Sequence, residues 1–333
     1  MMEKDQRPKS KDQRLRTAVI GVGSLGRNHA RVHAELAAEN AIELIGVVDV
    51  DETTARSVGA ERNCGYTIDY REFLDRVDAV SIVTPTETHH AIAVEFLRRG
   101  VSVLVEKPMA RTLAEADEII RAARESGAKL MVGQLERFNP AMIALRPHVR
   151  NPLYFEIHRV SPFPARSLDV DVVLDVMIHD LDAVQWLVGE SVKIAQVHAV
   201  GIPILTDKVD AANVRLEFEN GAVANITASR VGTERIRKMR FFQPHEYVVV
   251  DYVTRYAALT GLAPNAENPL AGISIKQLEV PDTEPLRAET LAFLRAVRDD
   301  AAPPVTGADG RRALALALTV LERIEDHRRL VQL

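Results

Sequence analysis

The glycine-rich segment Gly21-Val22-Gly23-Ser24-Leu25-Gly26 constrains the fold of this chain more than any other feature. It follows a short β-branched run at 16–20 and precedes a predicted helix at 27–39 that starts near Leu25. Glycines at this spacing let the backbone turn sharply, let a pyrophosphate approach it and let the helix pack close to the strand. The segment therefore predicts a dinucleotide-binding turn, with the first amides of the helix facing the phosphates.

An acidic residue follows at the position that such a turn requires. A second strand is predicted over 42–48, and Asp49 stands at its carboxyl end. A carboxylate there is placed to accept hydrogen bonds from the adenine ribose hydroxyls. Val50 and Asp51 come next, and no arginine stands beside them to receive a 2'-phosphate. The sequence therefore predicts NAD rather than NADP as the cofactor.

Helices and strands continue to alternate over the first 134 residues. Helices are predicted over 53–62, 70–76, 91–99 and 113–126, and strands over 79–83, 101–105 and 130–132. This alternation is typical of a doubly wound parallel sheet, which binds ligands at the carboxyl ends of its strands. We therefore assign 16–134 to an NAD-binding Rossmann domain.

Two segments fall at that ligand-binding edge. The first runs from Thr84 and Pro85 to His89 and His90, and the second is Glu106-Lys107-Pro108. The histidines either contact the cofactor or cap the following helix. Lys107 either projects into the site or marks the return of the chain to solvent.

The composition narrows the class of protein. A chain of 333 residues suits two domains, and its 47% hydrophobic and 27% charged residues are typical of a soluble globular protein. The net charge of -5 gives no electrostatic reason to expect nucleic acid or an anionic membrane as a partner. The single cysteine, Cys64, excludes an intrachain disulfide and fits a reducing compartment.

The start of the chain predicts a tail rather than a signal peptide. Residues 1–16 are polar and basic without an apolar core, so we expect a disordered tail over 1–15 and no signal peptide. No apolar run approaches the roughly 18 to 20 residues that cross a bilayer. We expect a cytoplasmic protein, with 135–333 forming a second α/β domain for substrate binding and oligomerisation that ends in helices.

The segment 172–186 holds the candidate acid-base residues. Asp175, His179 and Asp182 are spaced by four and three residues, which places them on one face of a helix. A histidine bonded to a carboxylate has a fixed tautomer and a pKa near neutrality, as a general base for an alcohol needs. The alternative is that His179 satisfies a buried turn while the aspartates are solvated. No compact cluster of metal ligands appears elsewhere, so we expect no metal.

The rest of the second half predicts a sheet flanked by terminal helices. Strands are predicted over 152–160, 192–200, 213–219, 222–230 and 247–252, helices over 289–298 and 311–329, and a loop over 258–275. Asn220-Gly221 predicts a tight hairpin turn between two of these strands.

Several arginines stand close to the candidate acid-base residues in sequence. Arg159 ends a strand and Arg166 lies in the proline-stiffened loop that follows, where a guanidinium suits an anionic group. The alternative is that both pair with Asp169 or Asp171. Further basic residues either form a solvated sheet edge or serve a phosphorylated or nucleotide-linked sugar; these are Arg230, Arg235, Arg237, Lys238 and Arg240.

Taken together, these segments resemble the Gfo/Idh/MocA family of oxidoreductases. The matching pieces occur in family order: Gly21 to Ala30 with its His29-Ala30 ending, Asp49, Thr84-Pro85 with His89, Glu106-Lys107-Pro108, Arg137-Phe138, and Asp175 with His179. The chain departs from the family pattern at Val172-Val173, where two glycines are usual.

The resemblance implies a Rossmann domain followed by an α/β domain with a large, mainly antiparallel open sheet. That sheet often forms the interface between subunits, which implies a homodimer or homotetramer. The resemblance also implies that Lys107 contacts the substrate hydroxyl and the nicotinamide, and that Asp175 and His179 complete the catalytic site.

The predicted binding residues divide into two sets. The cofactor set comprises Gly21, Gly23, Ser24, Leu25, Gly26, Asp49, Thr84, Pro85, His89, Glu106 and Lys107. The substrate set comprises Arg137, Arg159, Arg166, Asp182 and Arg230.

One branch of the family shows a closer resemblance. It shares Ser161-Pro162-Phe163-Pro164, the run from Asp169 to Asp175 and Phe242-Gln243-Pro244. The branch oxidises carbon 3 of UDP-N-acetylglucosamine in lipid A precursor synthesis. The open alternatives are an inositol, a free aldose or another UDP-sugar as substrate, or a non-catalytic sensor of NAD or of a nucleotide sugar.

Overall fold

The protein consists of two compact units. The computed structural model describes residues 14–163, 170–262 and 272–332. The first unit comprises the chain up to Gly133 together with Glu289–Gly307, and the second comprises Gln134–Ala288 and Ala308–Leu333. The segment Glu289–Gly307, which the sequence assigned to the second domain, thus groups with the first unit. Within the described ranges, no helix is both long and apolar enough to span a membrane.

The first unit is a six-stranded parallel sheet flanked by helices. Its elements are β1 Leu15–Ile20, α1 Gly26–Ala38, β2 Ile42–Val48, α2 Glu52–Arg62, β3 Gly65–Thr67, β4 Ala79–Ile82, α3 Thr86–Arg98, β5 Ser102–Glu106, α4 Leu113–Ser126 and β6 Leu130–Gly133. The strand order β3-β2-β1-β4-β5-β6 reverses direction between β1 and β4, which is the Rossmann arrangement. The predicted Rossmann sheet is therefore confirmed.

Two local predictions in this unit are wrong. The helix predicted over 70–76 is a single 3₁₀ turn, Tyr70–Phe73, which is capped by the side chain of Asp69. Helix α3 begins at Thr86, five residues earlier than predicted, because Pro85 presets an extended residue directly before the first turn. The segment that holds His89 and His90 is therefore helical.

The contacts of β6 explain why a late segment groups with the first unit. The Val132 amide donates a hydrogen bond to the carbonyl of Val305 at 3.2 Å, and Met131 forms an isolated bridge with Thr306. A Cβ added at Gly307 would lie 2.7 Å from Leu130 Cδ2, so the chain passes close to the strand there.

The second unit contains an eight-stranded sheet. Its elements are α5 Pro140–Leu145, β7 Tyr154–Val160, α6 Ile178–Val188, β8 Ile194–Ile202, β9 Ala211–Phe218, β10 Val223–Ser229, β11 Ile236–Gln243, β12 Glu246–Asp251, β13 Tyr256–Leu262 and β14 Ile273–Gln277. Two further helices follow in the chain: α7 Pro285–Arg298, most of which groups with the first unit, and α8 Gly307–Val331, which groups with the second. The strand order is β14-β13-β12-β11-β7-β10-β9-β8. All neighbours are antiparallel except β7 and β10, which confirms a mainly antiparallel open sheet.

One face of this sheet forms the core of the second unit. Inward-facing Phe155 and Phe241 pack with Met177 and Leu181 of the α6 region and with Leu316 of α8. Alternate residues along each strand face away from the helices, as the pleat of a strand requires. The sheet is therefore covered on one side by helices.

The sequence missed three strands of the second unit. Strand β11 occupies the basic segment, and β13 and β14 occupy ends of the stretch predicted as a loop. In β11 the charged residues Lys238 and Arg240 stand on the outer face and interrupt the apolar pattern. The predicted tight turn is confirmed, since Gly221 has φ +84° and its amide bonds the Phe218 carbonyl.

Candidate active site

The glycine turn of the first unit has one open position and two crowded ones. Gly21 has φ +85°, and a Cβ there would lie 2.8 Å from the Val83 carbonyl oxygen. A Cβ on Gly26 would lie 1.9 Å from the Gly21 oxygen, so this glycine lets α1 pack on the turn. A Cβ on Gly23 would meet nothing within 4 Å. The exposed backbone of 23–25 is thus open to a pyrophosphate, and the turn fits the group that the sequence predicts.

Asp49 lies beside this turn at the end of β2. Its carboxylate accepts hydrogen bonds from the Val22 amide at 2.9 Å and from the Asp51 amide at 3.1 Å. The side chain of Asp51 caps α2 by accepting from the amides of Thr53 and Thr54. Two carboxylates next to the turn favour ribose hydroxyls over a 2'-phosphate, which supports NAD.

His89 joins the two loops at the carboxyl ends of β4 and β5. Its Nε2 lies 2.8 Å from the Thr84 carbonyl oxygen and its Nδ1 lies 2.9 Å from that of Pro108. Burial lowers the pKa of His89, and a ring nitrogen that carries a hydrogen donates to the carbonyl that it faces. His89 therefore positions these loops, while His90 pairs with Glu118 at 2.8 Å.

Glu106 faces the interior of the first unit. His29 Nε2 donates to Glu106 Oε1 at 3.0 Å, and the Lys107 amide lies 3.3 Å from Oε2. A Cβ at Gly133 would lie 2.9 Å from Oε1, so this glycine leaves room for the carboxylate. Glu106 thus joins α1 to the end of β5, and Lys107, the next residue, is half-buried at the sheet edge.

Glu289 is a buried acid that the sequence did not single out. Its residue is 0% exposed, and neither carboxyl oxygen has a hydrogen-bond partner among the residues that the structure describes. Burial, and then the negative charge of Glu106, raises the pKa of Glu289 well above its usual range. The amphipathic helix pattern gave no sign that this position faces a second carboxylate.

The acid-base segment of the second unit is a π turn followed by a helix. Asp175 lies in the π turn Val173–Met177, and His179 lies in the first turn of α6. The predicted single regular helix is therefore wrong at its start. A π turn closes i→i+5 hydrogen bonds and occurs often at functional sites. Asp175 and His179 are both half-buried.

Two guanidinium groups hold the acids of α6. Arg137 donates to both oxygens of Asp182 at 2.7 Å and to Asp309 at 3.2 Å. Arg159 donates to Asp180 at 2.7 and 2.8 Å and to Glu136 at 2.7 Å.

These ion pairs change the role expected of three residues that the sequence predicted to bind the substrate. Arg137, Arg159 and Asp182 are buried and bonded inside the protein, which favours a positioning role over direct substrate contact. Burial opposes the charge of Arg159, but Asp180 and Glu136 more than offset it and raise its pKa well above the usual range. Sequence reasoning did not identify Asp180 or Glu136 as partners of Arg159. Arg159 alternates with Phe155 and Ile157 along its strand, so it lies on the same buried face and needs a buried partner.

Arg230 is equally enclosed. It is 0% exposed and donates to Asp210 at 2.7 Å, to the Val170 carbonyl at 2.6 Å and to Thr206 at 3.0 Å. Burial works against ionisation of Asp210, yet the amides of 204–206 and Arg230 hold its pKa well below the usual range. This arrangement likewise favours a structural role for Arg230. Arg166 lies outside the described residues.

Each unit thus offers a distinct chemical capacity. The first presents an open glycine turn, the acceptor Asp49 and the cation Lys107. The second presents Asp175 and His179 on a segment fixed by ion pairs. Across 14–163, 170–262 and 272–332, no group of three or more His, Cys, Asp or Glu side chains is arranged to hold a metal ion.

Comparison with known families assigns both parts of the chain. Residues 15–134 match the family described as "Oxidoreductase family, NAD-binding Rossmann fold", and residues 151–243 match the "GFO/IDH/MocA C-terminal domain". The chain belongs to the Gfo/Idh/MocA family. Membership of this family confirms the predicted resemblance, the Rossmann fold and NAD as the cofactor.

Several members of the Gfo/Idh/MocA family are similar to the chain over nearly its whole length. UDP-N-acetylglucosamine 3-dehydrogenase of Acidithiobacillus ferrooxidans is 38% identical over 93% of this chain and 97% of its own. A solved structure of that enzyme matches with a TM-score of 0.88, covering 94% of this chain and 98% of that one. Inositol 2-dehydrogenase of Rhizobium meliloti is 26% identical over 95% and 98% of the two chains.

A more distant structure shows the same Gfo/Idh/MocA architecture. Levoglucosan dehydrogenase in complex with NADH and levoglucosan matches with a TM-score of 0.84 at 18% identity, covering 94% of this chain and 98% of that one. At this identity the likeness shows the fold.

Proposed function

We propose that this protein oxidises the carbon 3 hydroxyl of UDP-N-acetylglucosamine to the ketone, with NAD as the electron acceptor. The observation that carries the proposal is the 38% identity, over 93% of the chain, to an enzyme of that name. The retained Lys107, Asp175 and His179 support a catalytic protein over a sensor, because binding alone does not require a cation and an acid-base pair.

The first unit supplies the residues that hold NAD. The open backbone at Gly23, Ser24 and Leu25 receives the pyrophosphate, and Asp49 accepts hydrogen bonds from the adenine ribose. Pro85 stands at the exposed carboxyl edge of β4, in the loop that His89 fixes at Thr84. Bound NAD supplies the hydride acceptor.

The protein's own side chains manage the proton and the developing charge. Neutral His179 accepts the proton of the substrate hydroxyl, and Asp175 orients the imidazole and stabilises its protonated form. The Lys107 ammonium stabilises the negative charge that builds up on the substrate oxygen. Such an interaction lowers the barrier because it strengthens as the transition state forms.

The buried ion pairs position the proposed base. Asp180 follows His179 directly and is held by Arg159, while Asp182 is held by Arg137 three residues after His179. Each pair has two parallel hydrogen bonds, which fix orientation as well as distance. The pairs therefore set the rotation of α6 and the direction in which His179 points.

We further propose that the protein forms a homodimer or homotetramer through the outer face of the second sheet. Tyr154, Phe242 and Tyr247 form an aromatic cluster there, with ring centroids 5.5 and 5.1 Å apart. Phe242 is 39% exposed, and Val200 and Ile202 add exposed apolar surface. Exposed apolar patches mark sites of protein–protein contact.

The product of the proposed reaction indicates which class of reaction follows it. A 3-keto amino sugar is a substrate for transamination, so the product would enter lipid A precursor synthesis in the cytoplasm. The single cysteine is consistent with a reducing compartment.

Single-turnover reduction of NAD, followed by nicotinamide absorbance, tests the proposal. Enzyme and NAD are mixed with UDP-N-acetylglucosamine, free N-acetylglucosamine or myo-inositol. We expect a signal with the UDP-sugar alone. The single-turnover format detects NADH even when the cofactor stays bound, which a coupled assay would miss.

The other outcomes are informative. Turnover of myo-inositol alone would replace the substrate and retain the roles of Lys107, Asp175 and His179. Binding of NAD and UDP-sugar without turnover would establish the sensor instead.

A further inference from the structure

Arg237 lies on the helix-covered face of the second sheet, next to Arg159. The two arginines are register partners on the adjacent antiparallel strands β11 and β7. Met239 and Phe241, two and four residues further along β11, are fully buried on that face. Phe241 packs on Phe155 with ring centroids 5.3 Å apart. Because alternate residues share a face, Arg237 points to the same side as these core residues.

The guanidinium groups of Arg159 and Arg237 both approach the carboxylate of Glu136, but they differ in the hydrogen bonds that they make. Arg159 Nη1 lies 2.7 Å from Glu136 Oε1, and its other nitrogens bond Asp180. Arg237 Nη1 lies 3.9 Å from the same oxygen, and the Arg237 guanidinium makes no hydrogen bond within the described part of the chain. The Arg237 side chain is 42% exposed, against 4% for Arg159. Arg237 therefore presents its donors to an outside ligand.

The local charge favours an anion. The charges of Arg159 and Arg235 act against the charge of Arg237, while those of Glu136 and Asp180 stabilise it. Burial, and then the charge of Arg159, lowers the pKa of Arg237. An anion placed against Arg237 would relieve this repulsion, and a phosphate accepts two parallel bonds from one guanidinium.

Arg237 is next to Arg159, which contacts the segment that holds the proposed base, His179. Arg159 ties its end of the sheet to Asp180, which directly follows His179. In a UDP-linked pyranose, the diphosphate is attached at carbon 1 of the ring that is oxidised at carbon 3. An anion site for such a substrate therefore has to lie about one sugar ring from the base.

We infer that Arg237 binds the diphosphate of the nucleotide-linked sugar and thereby selects it over a free sugar. The inference rests on the proposed function. Among the arginines that the sequence offered for an anionic group, it selects half-exposed Arg237 over Arg159 and Arg230, which are enclosed.

The test compares Arg237→Ala with Arg240→Ala, which removes the same charge three residues along the same strand but on the opposite face. Arg240 is 46% exposed and lies 4.0 Å from Glu156. We expect Arg237→Ala to raise KM for UDP-N-acetylglucosamine about 10- to 100-fold with little change in kcat. The Kd for UDP, measured by calorimetry, rises by a similar factor. Arg240→Ala leaves both constants within about twofold, whereas Arg237→Gln, which keeps more of the packing, behaves like Arg237→Ala.

Each contrary result has a definite meaning. Equal constants for the Arg237 and Arg240 variants would overturn the inference and leave the proposed function intact. A lower thermal midpoint with an unchanged Kd for UDP would restrict Arg237 to balancing Glu136, and a raised Kd for NAD would assign it to the cofactor; either overturns the inference. If the wild type does not oxidise UDP-N-acetylglucosamine, the proposed function fails, and the UDP titration still decides the role of Arg237.

Discussion

The glycine turn of the first unit and helix α6 of the second are built by opposite means. The turn depends on missing side chains: Gly21 and Gly26 occupy positions where a Cβ would lie under 3 Å from backbone atoms. Helix α6 depends on charged side chains, because Asp180 and Asp182 are buried and bonded to Arg159 and Arg137. One site is shaped by backbone packing and the other by electrostatics.

The difference matches the role that the proposed mechanism gives to each region. A pyrophosphate is bound by backbone amides, which need close approach and no particular side chain. A proton acceptor must keep one orientation, which buried bidentate ion pairs impose at the cost of desolvating their charges. The turn should therefore respond to added volume and α6 to lost charge.

The largest expected effect is the loss of catalysis without loss of cofactor binding. Lys107→Ala and His179→Ala should each lower kcat by about 10²- to 10⁴-fold, because in the proposed mechanism each removes a group that acts as charge or a proton moves in the transition state. Steady-state NAD reduction measures the loss. NAD binding, followed by fluorescence quenching, serves as the control. Near wild-type kcat in either variant would remove that residue from the mechanism.

Breaking one charge pair tests the electrostatic side of the comparison. Arg159→Met should lower the free energy of unfolding by about 3–5 kcal/mol, since Asp180 and Glu136 are left buried without their partner. The double variant Arg159→Met with Asp180→Leu should recover part of this loss. Urea unfolding measures both. A single variant as stable as the wild type would show that the pair does not hold α6.

Two alanine substitutions test the backbone side of the comparison. Gly26→Ala should destabilise the protein by about 1–3 kcal/mol or more, because its Cβ would meet the Gly21 oxygen at 1.9 Å. Gly23→Ala should leave the thermal midpoint unchanged, since its Cβ meets nothing within 4 Å, and should weaken NAD binding. Unchanged NAD affinity in Gly23→Ala would place the pyrophosphate elsewhere.

The last prediction concerns Glu289, whose carboxyl has no hydrogen-bond partner among the described residues, unlike the paired acids of α6. A carboxyl whose pKa is raised on folding contributes stability below its unfolded pKa of about 4.5 and loses that contribution as the pH rises. Above this value, wild-type stability should fall by up to about 1.4 kcal/mol per pH unit from this group, until Glu289 ionises in the folded state.

The matched variants isolate that slope. Glu289→Gln should flatten the decline of the thermal midpoint between pH 5 and pH 8, whereas Glu279→Gln, at an exposed position, should leave it as in the wild type. An unchanged slope in Glu289→Gln would show that Glu289 is ionised in the folded protein throughout this range.

Local patterns were sufficient to predict most of the first unit. The glycine spacing and the β-branched runs act over a few residues, so the turn, five of the six parallel strands and Asp49 were predictable, whereas the three-residue strand β3 was missed. Strands β11 and β14 were missed because polar residues interrupt their apolar signal, and β13 was missed because Ala257, Ala258 and Gly261 are weak strand formers. The helical pattern predicted the acid-base segment, yet it could not predict the π turn around Asp175.

The ion pairs of the second unit are long-range and therefore escaped sequence reasoning. Arg159 and Asp180 are 21 residues apart, and Arg137 and Asp309 are 172 apart. No local periodicity links such positions. The sequence showed that the arginines were present, and only the fold shows which of them are enclosed and that Arg237 is not.

The central position of β7 has a consequence for the synthesis of the protein on the ribosome. Its two neighbours, β10 and β11, are synthesised later. Tyr154 therefore cannot pair with Val223 or Phe242 until those strands have been made. Arg137 acquires Asp309 later still. Contacts this distant in sequence make folding slow, because loop closure has to precede them. A nascent chain thus carries its NAD-binding strands early, whereas the bond from Arg137 to Asp309 forms only when almost all of the chain has been translated.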